Sequence, residues 1–184
     1  CSNILNRNVW NAIKPIKRDN LPIPVSSIVV HELRELLNNQ SVTQQGCARY
    51  INALQNYDMN QRSYDDIGYN FIICGDDEND NTSQQQIYTG RGWKSSGAHC
   101  IPYNGIAIGP NYTNEKSLNT FESLMECGIT NKFIEQNYTL VGHPDTLNIY
   151  KFYLNYFKNN TQTQHICQPR PSNNDTIAEA RRKS

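Results

Sequence analysis

The 184-residue chain carries 17 lysine and arginine residues against 17 aspartate and glutamate residues, so its formal net charge is zero. This balance argues against nucleic acids and other polyanions as partners, because proteins that bind them carry a basic excess. The length suits one domain with its own core, and no apolar run approaches the roughly 18 to 20 residues that cross a bilayer. We therefore expect no direct membrane contact by this segment.

Cysteines and glycosylation sequons both point to an oxidising compartment. The six cysteines are an even number, as expected for disulfide bonds in a secreted protein. Six sequons begin at Asn39, Asn81, Asn111, Asn137, Asn159 and Asn174. Some of them are expected by chance alone in a chain this rich in asparagine. Together the two features predict an extracellular protein, either secreted or the ectodomain of a single-pass receptor, with Cys1 as the start of the mature chain or of an excised ectodomain.

The first half of the chain predicts a short irregular segment followed by strands and one helix. The first 24 residues carry three of the eight prolines and no apolar period, which predicts irregular structure. Residues 27–30 are apolar and β-branched and predict a strand buried on both faces. Apolar side chains recur every three or four positions over residues 44–59 and predict an amphipathic helix. Further strands are predicted at residues 69–74, 87–89, 105–108 and 139–141.

The second half of the chain predicts two more helices. Apolar residues over 118–125 have helical spacing, and Gly128 is predicted to stand in the C′ position just past the end of that helix. A third helix is predicted over residues 147–157, with Asp145 as its N-cap. Strands that alternate with helices predict an α/β domain around a central sheet. We place this domain at residues 1–165 and a polar C-terminal tail at residues 166–184.

Two histidines are the candidate metal ligands. His31 and His143 each close a short apolar strand, and imidazoles held by neighbouring strands suit zinc. A hydrolytic zinc site needs three protein ligands and a water, and no cysteine stands in the stretch after His143, residues 144–151. The alternative is that both are ordinary strand-end histidines.

Several motifs in register resemble the peptidoglycan recognition proteins over roughly residues 1 to 158. The motifs are Arg7-Asn-Val-Trp10, Asp66-Ile-Gly-Tyr-Asn-Phe71, Ile87-Tyr-Thr-Gly-Arg-Gly-Trp93, Gly97-Ala-His99, Cys127-Gly-Ile129 and Gly142-His143. The resemblance implies a central mixed sheet flanked by three helices, related to a phage-type zinc amidase. It also implies a groove that binds muramyl peptides from bacterial cell walls.

The resemblance implies a degenerate amidase site. In catalytic members, zinc-bound water attacks the amide between N-acetylmuramic acid and L-alanine. His31 and His143 match two zinc ligands of that site, and Tyr69 matches the assisting tyrosine. The third ligand is a cysteine about eight residues after the second histidine, and this chain has none there. We therefore expect vestigial positions at His31, Tyr69 and His143, no metal, no other cofactor and no enzymatic activity.

The groove itself is expected to be altered. Ten residues, 77–86, stand where the family usually has two, and the loop after His31 is also longer, with Glu32-Leu33 in place of His-Thr. Both additions are expected beside the groove and would narrow it. The alternative is that they are solvated surface loops.

The positions that select the stem peptide also differ from the family. Lys94 and Ser95 stand where the family has Gly-Trp or Asn-Phe. Members that prefer diaminopimelate often carry an arginine ahead of the strand that begins here with Asn104-Gly105, and this chain has no arginine nearby. Loss of such a charged partner costs on the order of 2 to 5 kcal/mol of binding free energy.

These departures favour a non-catalytic co-receptor. Some insect receptors of this family have an obstructed groove and dock on a second member that already holds a muropeptide. We expect the same here, with a second peptidoglycan recognition protein carrying a muropeptide of the diaminopimelate type as the partner. The alternatives are a stand-alone module that binds peptidoglycan and residual amidase activity with an unorthodox ligand set.

For the cysteines, the resemblance implies one bond, between Cys1 and Cys127. Cys47 matches half of another family disulfide, whose usual partner position is here Ser41. The pairing of the remaining cysteines stays open, and these are Cys47, Cys74, Cys100 and Cys167.

Overall fold

A computed structural model describes residues 1, 3–32, 43–74, 85–98, 104–108 and 115–142 of the chain. In these ranges lie six strands, two α-helices and one short 3₁₀ helix. The strands are β1 (Ile4–Leu5), β2 (Val25–Glu32), β3 (Phe71–Cys74), β4 (Gln86–Thr89), β5 (Asn104–Ile108) and β6 (Ile134–Gly142). The helices are α1 (Gln44–Asn60), α2 (Glu115–Thr130) and the 3₁₀ helix (Arg7–Trp10). The predicted third helix, residues 147–157, and the predicted tail, residues 166–184, lie outside the described residues.

The strands form one mixed sheet in the order β1-β4-β3-β5-β2-β6. Strands β3 and β4 pair antiparallel, and every other neighbouring pair is parallel. Helix α1 connects β2 to β3 across the intervening strand β5, and α2 connects β5 to β6 across β2, as expected for crossover connections between parallel strands. The prediction of an α/β domain with a central mixed sheet is confirmed.

Strand β2 is interior to the sheet, with β5 on one side and β6 on the other. Its residues Ile28, Val29 and Val30 are at most 1% exposed, so the prediction of a strand buried on both faces is confirmed. Ile28 and Val30 pack in a core with α2 residues such as Phe121, while the residues between them point to the opposite face.

Helix α1 covers part of that opposite face. Thr43 caps the helix, since its hydroxyl oxygen accepts a hydrogen bond from the Gly46 N–H at 3.1 Å. Ile51 and Leu54 of the helix then pack against Tyr69, Ile72 and other residues of a second core cluster. The two clusters give the sheet one apolar layer on each face.

The N-terminal segment is more ordered than predicted. Ile4 and Leu5 form β1, which pairs parallel with Ile87 and Tyr88 of β4. The segment that follows begins a 3₁₀ helix at Arg7, capped by the Asn6 side chain, which accepts a hydrogen bond from the Asn8 N–H. A strand of two residues is too short to give a recognisable sequence pattern. It forms because it pairs with β4, which the local sequence does not show.

The predicted end of α2 was wrong. The helix continues through Gly128 to Thr130, and Lys132 adopts the left-handed conformation with φ 58°. The Phe133 N–H then donates to the Gly128 carbonyl at 2.8 Å, and the Lys132 N–H donates to the Ile129 carbonyl at 3.0 Å. These two bonds form a Schellman motif with lysine, not glycine, at C′.

Gly128 is small for a packing reason. A Cβ atom at this position would collide with the side chain of Ile134 and would lie 2.9 Å from the ring of Trp93. Trp93 in turn stacks on Phe133 with ring centroids 5.2 Å apart and lies 4.3 Å from Phe71. The glycine therefore allows α2 to approach the sheet closely.

Two disulfides join distant parts of the chain. Cys1 bonds to Cys127 of α2, which is the pair that the family resemblance implies, and Cys47 of α1 bonds to Cys74 of β3. The second bond resolves one pairing that the sequence left open. Cys100 and Cys167 lie outside the described residues. Within the described ranges, no helix has the length and apolar character needed to cross a membrane.

Candidate functional site

The structure brings two of the three predicted vestigial residues together. His31 lies near the end of β2, and Tyr69 lies two residues before β3. Their rings meet edge to face, with centroids 5.5 Å apart and planes at 67°. Both side chains lie on the sheet face that α1 covers in part, since Tyr69 belongs to the core cluster of that helix. This pair is the centre of the candidate site.

Tyr69 is a buried, neutral group. Its side chain is 3% exposed, and burial raises the pKa of its hydroxyl well above the ordinary value of 10, with the carboxylate of Asp58 adding to the shift. The phenol therefore stays protonated at all physiological pH values. It can orient a neighbour through a hydrogen bond, and it does not serve as a base.

The strands that carry the two histidines are neighbours, as predicted. Strands β2 and β6 pair in parallel, and Val30, the residue before His31, is aligned with Gly142, the residue before His143. His143 itself lies outside the described residues. Within the ranges that are described, no group of three or more histidine, cysteine, aspartate or glutamate side chains is arranged to hold a metal ion.

The motif at residues 89–93 fixes the backbone of Tyr69. Gly90 is required here because a Cβ atom would collide with the Tyr69 carbonyl oxygen. The Arg91 N–H donates to that carbonyl at 2.9 Å, while Gly92 adopts a positive φ of 73°. The buried Arg91 side chain donates to the carbonyls of Ile67 at 2.6 Å and Ser96 at 2.9 Å. Arg91 thus links the segment just before Tyr69 to the loop that contains Ser96.

A buried polar network below Tyr69 was missed by sequence reasoning. Asp66 is fully buried and accepts hydrogen bonds from Arg7 at 2.8 and 3.0 Å and from Gln55 at 2.7 Å. Asp58 is also fully buried and accepts from the Gly68 N–H at 2.8 Å and from Arg62 at 3.1 Å. Burial raises the pKa of Asp58, and those two donors oppose the rise. Arg7 and Asp66 stand in recognised motifs, but Gln55, Asp58 and Arg62 lie outside all of them.

The predicted selector residues Lys94 and Ser95 lie in a tightly held loop. Lys94 is exposed, whereas Ser95 is 6% exposed. The Asn70 side chain donates to the Ser95 carbonyl at 2.7 Å, and the Leu21 N–H donates to the Lys94 carbonyl at 2.9 Å. The Lys94 side chain is thus exposed on a hydrogen-bonded turn, next to a serine whose surroundings leave little room for a larger side chain.

The remaining predicted positions are placed only in part. Asn104 and Gly105 begin β5 and are aligned with Ile28 and Val29 of β2, two to three residues before His31 along the strand. Glu32 ends β2, aligned with Ile108, and its side chain lies outside what is described. Nearly all residues of the two predicted extra loops also lie outside the described ranges. Asn137 is exposed, and the other five sequon asparagines, Asn39, Asn81, Asn111, Asn159 and Asn174, lie outside the described ranges.

Comparison with known proteins gives a consistent result. A peptidoglycan recognition protein of Trichoplusia ni is 32% identical over 149 residues, which cover 76% of this chain and 75% of that protein. Peptidoglycan recognition protein 1 of Bos indicus is 33% identical over 154 residues, which cover 79% and 75%. No protein-family model matches the chain.

Solved structures with the same fold include one peptidoglycan recognition protein and one complex of two such ectodomains. Bumblebee PGRP-SA matches with a TM-score of 0.64 and 25% identity, covering 77% of this chain and 83% of that one. The ectodomain complex of PGRP-LCa and PGRP-LCx with bound tracheal cytotoxin matches with a TM-score of 0.63 and 27% identity, covering 76% and 82%.

Proposed function

The chain belongs to the peptidoglycan recognition protein family, and from this membership we propose that it is an extracellular, non-catalytic domain that takes part in sensing bacterial peptidoglycan fragments. Two disulfides among the described residues support the extracellular assignment, because such bonds persist in oxidising compartments.

One observation carries the non-catalytic part of the proposal. The donor set contains two imidazoles, His31 and His143, and residues 144–151 offer no cysteine thiolate. Catalytic zinc needs three protein ligands with an open fourth position, so these residues do not fit the zinc site of the catalytic members. His31 also packs edge to face on the neutral Tyr69 ring.

The co-receptor role is supported by the selector positions. Ser95 is buried, and Lys94 is exposed at the surface. A stem peptide bound in the chain's own groove would lack the aromatic contact that the family offers there. An exposed cation suits instead a carboxylate that a partner presents from outside. The partner would be a second peptidoglycan recognition protein loaded with a diaminopimelate-type muropeptide, as in the PGRP-LCa and PGRP-LCx complex with tracheal cytotoxin.

Sedimentation velocity tests this role. The chain is mixed with the PGRP-LCx ectodomain, with and without tracheal cytotoxin, and a heterodimer is expected only when the toxin is present. Lys94→Glu should weaken that complex about tenfold, which corresponds to about 1.4 kcal/mol. Lys14→Glu, at another exposed lysine, is the matched control and should leave the complex unchanged. Equal effects of the two variants would remove the role assigned to Lys94.

Retention on insoluble peptidoglycan separates the alternative function. A stand-alone binding module would be retained without any partner, whereas a co-receptor would pass through. Cleavage of a muramyl peptide in the presence of zinc, measured against a catalytic family member, would contradict the non-catalytic assignment.

A further inference from the structure

The outer edge of β4 is covered by a strand of only two residues. Ile4 is aligned with Ile87 and Leu5 with Tyr88, while the other side of β4 pairs with β3. Ile4 is half-buried against the core on the α2 side, and Leu5 is half-buried against the core on the α1 side. Residues 3–6, which we call the N-terminal strap, therefore protect an edge of the sheet with a strand that is too short to hold its place alone.

The strap is anchored at both ends. Before it, Cys1 bonds to Cys127 of α2. After it, Arg7 forms a bidentate ion pair with the buried carboxylate of Asp66 at 2.8 and 3.0 Å. The buried Trp10 ring then donates from Nε1 to the carbonyl of the last β4 residue at 3.0 Å. A reductant can open the first anchor, whereas it leaves the second one intact.

The disulfide before the strap is accessible from solvent. Cys1 is exposed and Cys127 is 8% exposed, so an attacking thiolate would reach the Cys1 sulfur first. The Asn131 side chain donates from Nδ2 to that sulfur at 3.2 Å and to the Cys127 carbonyl at 2.8 Å. A donor at this position stabilises the Cys1 thiolate once it has formed. The Cys47–Cys74 bond is enclosed by contrast, since both of its cysteines are at most 1% exposed.

We propose that the Cys1–Cys127 bond is a redox-sensitive switch, and that its reduction by a dithiol releases the N-terminal strap and uncovers the outer edge of β4. First, one thiolate of the dithiol bonds to the Cys1 sulfur, the Cys1–Cys127 bond breaks, and Cys127 leaves as a thiolate. The second thiolate of the dithiol then attacks the dithiol sulfur of this mixed disulfide, which forms the dithiol's own disulfide and releases Cys1. Both cysteine thiolates take a proton from solvent, so two electrons pass from the dithiol to the bond.

The anchor at Arg7 limits the release to the strap. Besides the ion pair, Arg7 donates to the carbonyls of Gly90 and Ile13. The chain beyond the strap therefore stays joined to the motif that fixes the Tyr69 backbone. Reduction should leave the ring contact between His31 and Tyr69 in place. The switch changes an edge of the sheet and not the candidate site, so its failure would not affect the proposed function.

Hydrogen–deuterium exchange read by mass spectrometry tests the proposal on the full chain. Dithiothreitol is added until alkylation mapping finds Cys1 and Cys127 reduced while Cys47 and Cys74 remain bonded. Peptides from the strap and from residues 86–89 should then exchange about tenfold faster, because the pairing between them is lost. Peptides from β3 and α1 should be unchanged.

Three results would overturn the proposal. Unchanged exchange in the strap after confirmed reduction would show that the strap holds its place without the bond. Faster exchange throughout the chain would show that the bond stabilises the whole fold and not a local segment. Opening of both disulfides at the same dithiothreitol concentration would show that the exposed bond is not selectively reducible.

A double variant gives the same test without a reductant. Cys1→Ser with Cys127→Ser removes the bond and nearly preserves the size of both side chains. Its strap and β4 peptides should exchange as they do in the reduced wild type, and dithiothreitol that spares the Cys47–Cys74 bond should add nothing further. The reduced wild type keeps the test decisive if the double variant fails to fold, because its bond is opened only after folding.

Discussion

Arg7 forms a bidentate ion pair with Asp66, although 59 residues separate them along the chain. The carboxylate is fully buried, and its Oδ1 atom also accepts from the Gln55 side chain and the Ile67 N–H at 2.7 and 2.8 Å. Arg7 and Gln55 also donate to the Ile13 carbonyl at 2.9 Å each. The network therefore ties the N-terminal segment to α1 and to the turn that precedes Tyr69.

Removal of Arg7 is expected to destabilise the fold strongly. Arg7→Ala leaves the buried Asp66 carboxylate without its bidentate partner, which should lower the free energy of unfolding by about 3 kcal/mol. Lys17→Ala is the control, because the Lys17 and Asp19 side chains are 68% and 56% exposed and such pairs contribute less than about 1 kcal/mol. Urea denaturation measures both variants, and equal losses would contradict the importance assigned to burial.

The two disulfides should differ in their resistance to reduction. Cys1 is exposed, whereas Cys47 and Cys74 are at most 1% exposed. A thiolate must reach the sulfur it attacks, so mild reductant should open the Cys1–Cys127 bond first. Alkylation followed by mass mapping measures the order of opening. Earlier opening of the Cys47–Cys74 bond would show that the inner core is more accessible than the structure indicates.

The close approach at Gly128 predicts a coupled pair of substitutions. Gly128→Ala gains about 1 kcal/mol of helix propensity, but its methyl group strikes Ile134 and the Trp93 ring, and overpacking costs about 1 to 3 kcal/mol. We expect a net loss of about 1 kcal/mol. Ile134→Val removes the Cδ1 atom that is struck, so the double variant should be more stable than the sum of the single effects predicts. Strict additivity in a double-mutant cycle would contradict this packing.

Most of the sheet and α1 could be predicted from local pattern. The apolar run at residues 27–30 and the helical period at residues 44–59 are properties of contiguous residues, and burial on both faces follows from them. The end of α2 could not be predicted in this way. A glycine near the end of a helical pattern is typical of a C-cap. Gly128 is instead needed because Ile134 and Trp93 leave no room for a side chain, and these contacts are not visible in the local sequence pattern.

Only part of the candidate site could be predicted from the sequence. His31 was identified from its place at the end of an apolar strand, and Tyr69 through the family resemblance. Their ring contact depends on the sheet order, which places β5 between β2 and β3. The partners of Asp66 lie 11 and 59 residues away and follow no period. Buried polar networks of this kind depend on tertiary structure alone, which is why the sequence did not indicate them.

Alkaline pH should reveal the burial of Tyr138. Burial, with a smaller contribution from Glu122, raises the pKa of this tyrosine from 10 to about 12. Between these values the unfolded chain loses the proton while the folded chain keeps it, so the free energy of unfolding falls as the pH rises above 10. The wild type should lose about 1 kcal/mol more than Tyr138→Phe between pH 9 and 11. Parallel pH profiles from urea denaturation would show that Tyr138 is not buried.

We propose that this chain neither cleaves muropeptides nor holds them unaided. Calorimetric titration of tracheal cytotoxin, a monomeric diaminopimelic acid-type peptidoglycan, into the isolated chain tests it most directly. We predict no binding heat at concentrations where a dissociation constant of about 100 μM, or about 5.5 kcal/mol of binding free energy, would be detected. A saturable isotherm with micromolar or tighter affinity and one-to-one stoichiometry would contradict the account.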